Sequence, residues 1–477
     1  MFIGRKNELN LLSQLIDSET SNIGVIYGRR RIGKSELIRK AFENKQVFIF
    51  EGLENRSKQE QIDSFIFQLS YMANQQFNSK KVTSWREAFI LLYETLKNQP
   101  KHIVLDEFQW MANYRSEIVA ELKMVWDLYI SKIKSITLIL CGSIASFMTT
   151  KVIKSNALYG RADLIIHLKG FLLSDTKKML INRGIDEIID AQILLGGVPK
   201  YLDLIKDKTS IYRGLEELAF TETGYLTDEY DRIFVSHFGK NPEYERIIKT
   251  LAARPYGLYR KQIAANAGVD LGGGLTLHLK NLEYAGFINS TTPFHKSFKS
   301  RLLKYRLSDA YLRFFFAFIL PNMKRIKSGI QKSLFQQIFQ SSAFYSWMGR
   351  SFEYLCMDHA EKISEILGFS GIEFNFGPYF NSKTTDNKGF QIDILFDRKD
   401  NVITLCEAKY SINPIGVDVI KEVEQKVLIL EKQFHRKTIQ KVLISKSGAT
   451  KDLLTTGYFY QIITPDMFFS HQDRPQY

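Results

Sequence analysis

The chain has 477 residues, 45% of them hydrophobic and 24% charged, with a formal net charge of +14. This composition excludes a wholly disordered chain or a small disulfide-stapled scaffold, and at roughly 100–200 residues per domain the length allows three or four domains. The positive excess favours a polyanionic partner, nucleic acid before a membrane surface.

Met1–Ile16 carries charges and no apolar core, so no signal peptide is expected. Its leucines and Ile16 instead give an opening helix an apolar face. Asn22–Tyr27 (NIGVIY) predicts a buried parallel strand. Gly28-Arg29-Arg30-Arg31-Ile32-Gly33-Lys34-Ser35 follows, and then a helical stretch, Glu36–Phe42. This is GxxxxGK[ST] in its strand–loop–helix setting, so these eight residues are the expected nucleotide-binding loop. The glycines let backbone N–H groups close around phosphates at a helix N-terminus. Lys34 is expected on the β- and γ-phosphates of ATP, with Ser35 on Mg²⁺.

Gln46–Phe50 and Lys101–Leu105 predict two more strands, the latter ending in Asp106-Glu107. Such an acid pair suits Mg²⁺ binding through Asp106 and orientation of the attacking water by Glu107. Ser135–Cys141 predicts a fourth strand, and Ser143 just beyond it is the candidate γ-phosphate sensor. Cys141, Cys356 and Cys406 make no CxxC pair, so a reducing cytoplasm and no zinc site are expected.

The start FIGRKNEL at 2–9, the loop GRRRIGKS, LDEFQW at 105–110 and ALYGR at 157–161 resemble the prokaryotic archaeal-type AAA-like ATPases, which lie near the signal-transduction (STAND) NTPases. GGVPKY at 196–201 resembles that family's motif in a helical lid. The resemblance runs through the whole chain. It implies that Arg161 acts as an arginine finger, supplied to a neighbour in a homo-oligomer, and that Pro199 sits near the nucleotide.

Leu172–Leu218 is mostly helical in pattern. Helical spacing returns in Tyr244–Ala252, Tyr259–Ala267 and Leu275–Tyr284, and Phe287–Leu307 predicts a hairpin. Three short helices and a hairpin form the winged helix–turn–helix signature. Its tip is basic, with His295, Lys296, Lys299, Arg301 and Lys304, which suits DNA-backbone contact. Ala310–Leu320, the most apolar run, contains Arg313 and is too short to span a bilayer, so it reads as a buried helix.

Trp347–Leu367 predicts one helix bearing Glu353. Phe390–Phe396 predicts a strand centred on Asp393, and Val402–Ala408 a second that ends Glu407-Ala408-Lys409. Positions 407 and 409 share a strand face, and Asp393 reaches that face from the adjacent strand. Two carboxylates and a lysine in this pattern are those of a PD-(D/E)XK nuclease. Glu353, Asp393 and Glu407 are the candidate ligands of Mg²⁺ or Mn²⁺, and Lys409 the group that positions water. The resemblance also implies a nuclease-like C-terminal domain, although Ile392 stands where a proline often precedes the first acid.

The expected fold is therefore multidomain α/β. A P-loop AAA-like core (1–165) is followed by a helical lid (166–236), a winged helix–turn–helix (237–330) and an α/β restriction-endonuclease-like domain (331–477). The expected function is ATP-gated, metal-dependent cleavage of DNA, in prokaryotic defence or DNA processing. The alternative is a nucleotide-driven switch or transcription regulator that binds DNA or a partner without cutting. Nucleic acid, DNA first, is the expected partner, and no membrane is.

Overall fold

The computed structural model describes residues 2–77, 81–156, 158, 160–239, 241–292, 294, 303–329, 334–381 and 390–470. The chain forms two compact units: 1–170 with 277–286, and 171–276 with 287–477.

The first unit is built on five parallel strands in the order β2-β3-β4-β1-β5. They are β1 (Asn22–Tyr27), β2 (Val47–Glu51), β3 (His102–Asp106), β4 (Thr137–Gly142) and β5 (Leu164–His167). Apolar residues on both faces of β1, β3 and β4 bury these strands on both sides, as a parallel sheet requires. One face carries Phe50, Phe65, Trp85 and Phe89, with the Phe50 and Phe65 rings stacked at 4.1 Å. Phe50 comes from β2, Phe65 from helix Lys58–Ala73, and Trp85 and Phe89 from helix Trp85–Asn98. Each helix starts at a capping box, Ser57 with Glu60 and Ser84 with Glu87, which satisfies backbone N–H groups at its N-terminus. The opposite face packs the opening helix, Lys6–Ile16, and the helix after the loop, Lys34–Ala41, around Leu12, Leu37 and Ile139. The edge strand β5 is short, and its alternating exposure gives no continuous apolar run to read in the sequence.

The second unit begins with helices between Leu173 and Phe238. Helices Pro242–Ala252 and Arg260–Ala267 follow, and the helix Gly273–Tyr284 starts in this unit while its residues from 277 on belong to the first. A small sheet of order β6-β8-β7 comes from β6 (Leu258–Tyr259), β7 (Ile288–Thr291) and β8 (Lys304–Leu307). Of the basic tip, Lys304 is described; His295, Lys296, Lys299 and Arg301 lie outside the described residues. The apolar run at 310–320 is a helix, Ala310–Phe314, that passes into a π-helical turn, Phe315–Ile319.

The expected helix at 347–367 is instead two, Ser342–Asp358 and Ala360–Ile366, broken at His359. His359 is buried, accepts the Leu173 N–H at Nε2 (3.1 Å) and meets the Leu355 carbonyl at Nδ1 (2.8 Å). Those two contacts fix the ring as the Nδ1–H tautomer, and burial lowers its pKa.

The C-terminal sheet has the order β13-β12-β11-β10-β9. Its strands are β9 (Phe374–Asn381), β10 (Phe390–Arg398), β11 (Val402–Lys409), β12 (Thr438–Ser445) and β13 (Gln461–Ile463). The first three pair antiparallel and the last three parallel. Helix Val419–Gln433 turns Val419, Val423, Val427 and Leu430 into the core of this sheet. A buried polar hub ties the sheet to helix Ile185–Leu195. Asp190 accepts from Tyr212 (2.5 Å), from Tyr410 (2.8 Å) and from the ammonium of Lys446 (3.1 Å).

Candidate functional site

The loop after β1 folds as the motif requires. Gly28 has φ 155°, and a Cβ there would collide with the Leu168 carbonyl oxygen. Gly33 has φ 87° and nothing nearby, so at this position it is the backbone conformation alone that selects glycine. Ile32 is buried, and Arg5 braces the loop by donating to the Ile32 carbonyl (3.2 Å). Arg31 takes φ 72°. Arg30 pairs with Glu54 (3.1 Å) and lies 5.0 Å over the Trp110 ring. The ammonium of Lys34 is folded back onto the carbonyls of Gly28 and Arg29, both at 3.0 Å. A phosphate arriving at these N–H groups offers Lys34 a stronger, charged acceptor than either carbonyl.

Ser35 Oγ donates to Asp106 Oδ2 at 2.7 Å. A serine hydroxyl and a carboxylate so close to the loop are hard oxygen donors, and they fit Mg²⁺ in kind. Glu107 has φ 49° at the start of the short helix Phe108–Met111, which turns its carboxylate to Ser143 Oγ (2.7 Å) and Gln109 Nε2 (2.5 Å). Ser143, at the end of β4 beside β1, is thus bonded to the residue expected to orient water. Gln109 is fully buried and bonds both partners, a role with no signal in the sequence. Glu51 was also missed. It lies opposite Asp106 in the sheet, and burial followed by the charges of Asp106 and Glu107 raises its pKa.

Arg161 forms a two-pronged pair with Asp127, Nε and Nη2 each at 3.1 Å. Lys123 shares that carboxylate. Pro199 opens the helix Pro199–Ile205 of the second unit, at the position where a missing N–H costs nothing.

In the C-terminal sheet Ile394 pairs with Cys406, so Asp393 and Glu407 occupy the next opposed positions. The β10–β9 register shifts between Ile392 and Leu395, a bulge at Asp393. Asp393 Oδ2 accepts the Ala408 N–H at 2.9 Å. Both acids are buried. Glu353 comes from helix Ser342–Asp358 and accepts from Gln391 at 3.3 Å. Burial, then the charges of Asp393 and Glu407, push Glu353 up to about 8. Burial, then Glu407, pushes Asp393 up to about 7. Glu353 and Asp393, both raised by the charge of Glu407, form one electrostatic cluster with it.

Cations already answer it in part. Lys409 is 3.2 Å from Glu407 and 2.6 Å from Glu422. Burial opposes its charge, and the two glutamates outweigh burial, so its pKa is raised. Lys426, from the helix Val419–Gln433, reaches Glu407 at 2.5 Å. One sequence signal pointed to it: Lys426 lies one turn after Glu422 and beside the Val423/Val427 stripe that faces the sheet. Among the described residues no three His, Cys, Asp or Glu stand close enough together to hold a metal ion. The opposed Asp393 and Glu407 match a hard divalent cation in donor type alone, and Lys426 and Lys409 already supply positive charge to Glu407. Among the described residues no helix is long and apolar enough to cross a membrane.

Residues 2–205 match a family model described as an ATPase domain predominantly from Archaea, and residues 315–431 match one described as archaea bacterial proteins of unknown function. An uncharacterized protein of Methanocaldococcus jannaschii is 27% identical over 331 residues, 69% of this chain and 71% of that one. An uncharacterized ATP-binding protein of the same organism is 45% identical over 47 residues, 10% of this chain and 80% of that one. Among solved structures, a Walker-type ATPase of Pyrococcus abyssi overlaps 66% of this chain and 96% of its own at a TM-score of 0.49 and 19% identity. The N-terminal region is a P-loop ATPase that binds ATP, as its loop, its acid pair and the family match together require.

Proposed function

We propose that ATP binding and hydrolysis in the first unit gate a metal-dependent DNA nuclease in the C-terminal sheet. The carrying observation is the pair of buried acids Asp393 and Glu407, with the half-buried Glu353 and Lys409 beside them. Charges inside otherwise apolar strands are costly unless they have a task or a partner. A divalent cation bound there would polarise a phosphodiester and lower the pKa of a bound water. Asp393 and Glu407 would hold the cation, and Glu353 would have to close on them to complete the shell, since no three acids stand close enough among the described residues. Lys409 would position the water or offset charge on phosphorus, and Lys426 would hold the Glu407 carboxylate in place.

In the first unit Lys34 and the loop N–H groups hold the phosphates, Ser35 and Asp106 hold Mg²⁺, and Glu107, steered by Ser143, orients water. Arg161 would leave Asp127 to serve a neighbouring copy, and Pro199 would approach the nucleotide. The three helices and hairpin between 242 and 307 would act as a winged helix that holds DNA through basic residues such as Lys304. The setting would be defence against foreign DNA or DNA processing.

The test is cleavage of plasmid and linear DNA with Mg²⁺ or Mn²⁺, with and without ATP, beside Lys409→Ala, Asp393→Ala and Lys34→Ala. Cleavage lost in the first two with ATP binding intact is the expected result. A changed rate in Lys34→Ala would report gating. One observation favours a second reading, a nucleotide switch that binds without cutting: Glu407 is already held by two lysines. Intact DNA under every condition, with ATP still hydrolysed, would select that reading.

A further inference from the structure

A cavity of about 250 Å³ lies within the second unit, and none of the residues assigned to either site lines it. Its wall includes Arg313, Trp347, Arg350, Ser351 and Tyr354. Arg313 stands at the end of the helix before the π-helical turn. Its Nε and Nη1 are shut off from solvent and have no hydrogen-bond partner. Its guanidinium lies 4.2 Å over the Tyr354 ring, and that of Arg306 lies 4.7 Å over the same ring. The Tyr354 hydroxyl is used on the Pro255 carbonyl. Arg350 enters no ion pair among the described residues.

The cations here are thus close together and only partly compensated, by the charges of Asp358 on Arg306 and Arg313 and of Glu353 on Arg306 and Arg350. A cation–π contact contributes on the order of 1–2 kcal/mol, whereas taking a charge out of water costs several kcal/mol. Burial accordingly lowers the pKa of both Arg306 and Arg313. Guanidinium groups that keep free donors beside a cavity have the chemistry of a phosphate or carboxylate site, because their planar fork matches two oxygens at once. At about 250 Å³ the space falls just below the roughly 300–1,000 Å³ of drug-sized sites. It therefore suits a ligand no larger than a mononucleotide.

We propose that this cavity binds a phosphate monoester through Arg313 and Arg350, on a free mononucleotide or on the terminal nucleotide of a nucleic-acid strand. The site stands independently of the nuclease reading. It neighbours the acid cluster, since Arg350 and Tyr354 also line a second groove that contains Glu353, Lys304 and Gln391.

The experiment uses full-length Lys34→Ala protein, so that the P-loop does not compete. Binding of AMP and of a single-stranded oligonucleotide with a 5′-phosphate or a 5′-hydroxyl is measured by calorimetry. The same titrations are run after adding Arg313→Leu or Arg350→Ala. At least one phosphorylated probe should bind with a stoichiometry near one and weaken tenfold or more in both double variants. AMP binding alone identifies a free nucleotide; a tenfold preference for the 5′-phosphate strand identifies a strand end. Equal binding in the single and double variants, or no binding of any probe, overturns the site. If Arg313→Leu fails to fold, Arg350→Ala, on the half-buried face of its helix, decides alone. No outcome depends on cleavage, so loss of this site and loss of nuclease activity are separable.

Discussion

The P-loop and the C-terminal acid cluster solve opposite electrostatic problems. The loop is built from backbone N–H groups of consecutive residues and one lysine, and in the absence of phosphate it satisfies itself, with Lys34 on its own carbonyls and Ser35 on Asp106. The acid cluster is built from side chains delivered by one helix and two strands. It does not satisfy itself, and Glu353 and Asp393 are pushed toward the neutral form. A loop made of backbone is tuned for a ligand that comes and goes. A knot of buried carboxylates is tuned for a resident positive charge.

The sharpest break in that comparison is Lys34→Ala. Loss of the only side-chain cation of the motif's GKS end should lower ATP turnover on the order of 100-fold or more, measured by phosphate release, while the melting of the second unit is unchanged. Next is Ser143→Ala, which frees Glu107 from its hydroxyl partner. The turnover number should fall about tenfold with KM little changed, as for a group that acts on the water and not on nucleotide binding.

A smaller effect tests the other side. Burial, then the charges of Asp393 and Glu407, push Glu353 up to about 8, far above the usual carboxylate range. Folding therefore favours its protonated form, and that stability is fully present at low pH and lost as pH rises through about 8. Glu353→Gln should raise Tm by roughly 2–4 °C at pH 8.5, and the gain should vanish near pH 4. Added Mg²⁺ should raise the wild-type Tm at pH 8.5 in the same direction; a fall in Tm for the variant would refute the cluster's strain. Arg161→Ala should be the mildest for folding, less than about 1 kcal/mol for a partly exposed pair. A large loss of turnover that depends on protein concentration would identify it as a finger that acts on a neighbour.

The contrast also explains what could be read without coordinates. The loop and the Asp106-Glu107 pair were legible because their spacing is local, fixed by one turn and one strand end. The opposed Asp393 and Glu407 followed from strand alternation. Gln109 and Glu51 were invisible because Ser143 and Asp106, which they bond or face, come from across the fold, where periodicity carries no information, and Lys426 left only the helix-spacing hint. The edge strands β5 and β9 were missed for a physical reason too: β5 is only half-buried, and β9 contains Gly377 and Pro378, residues that weaken a strand signal. The break at His359 was illegible because it depends on an N–H supplied by Leu173.

The Asp190 hub bears on how this chain can be taken apart. A fragment starting at 331 would keep Tyr410 and Lys446 but lose the carboxylate that both are folded around. Stranding a buried ammonium without its partner is destabilising by about 3–5 kcal/mol, a large share of a domain's margin. Tyr410 directly follows Lys409, so the damage would fall on the strand end that bears the motif lysine. The smallest excisable piece that preserves this strand end therefore begins upstream of Asp190, inside the stretch that matches the ATPase family, and the border a sequence comparison draws at 205 is not a place to cut.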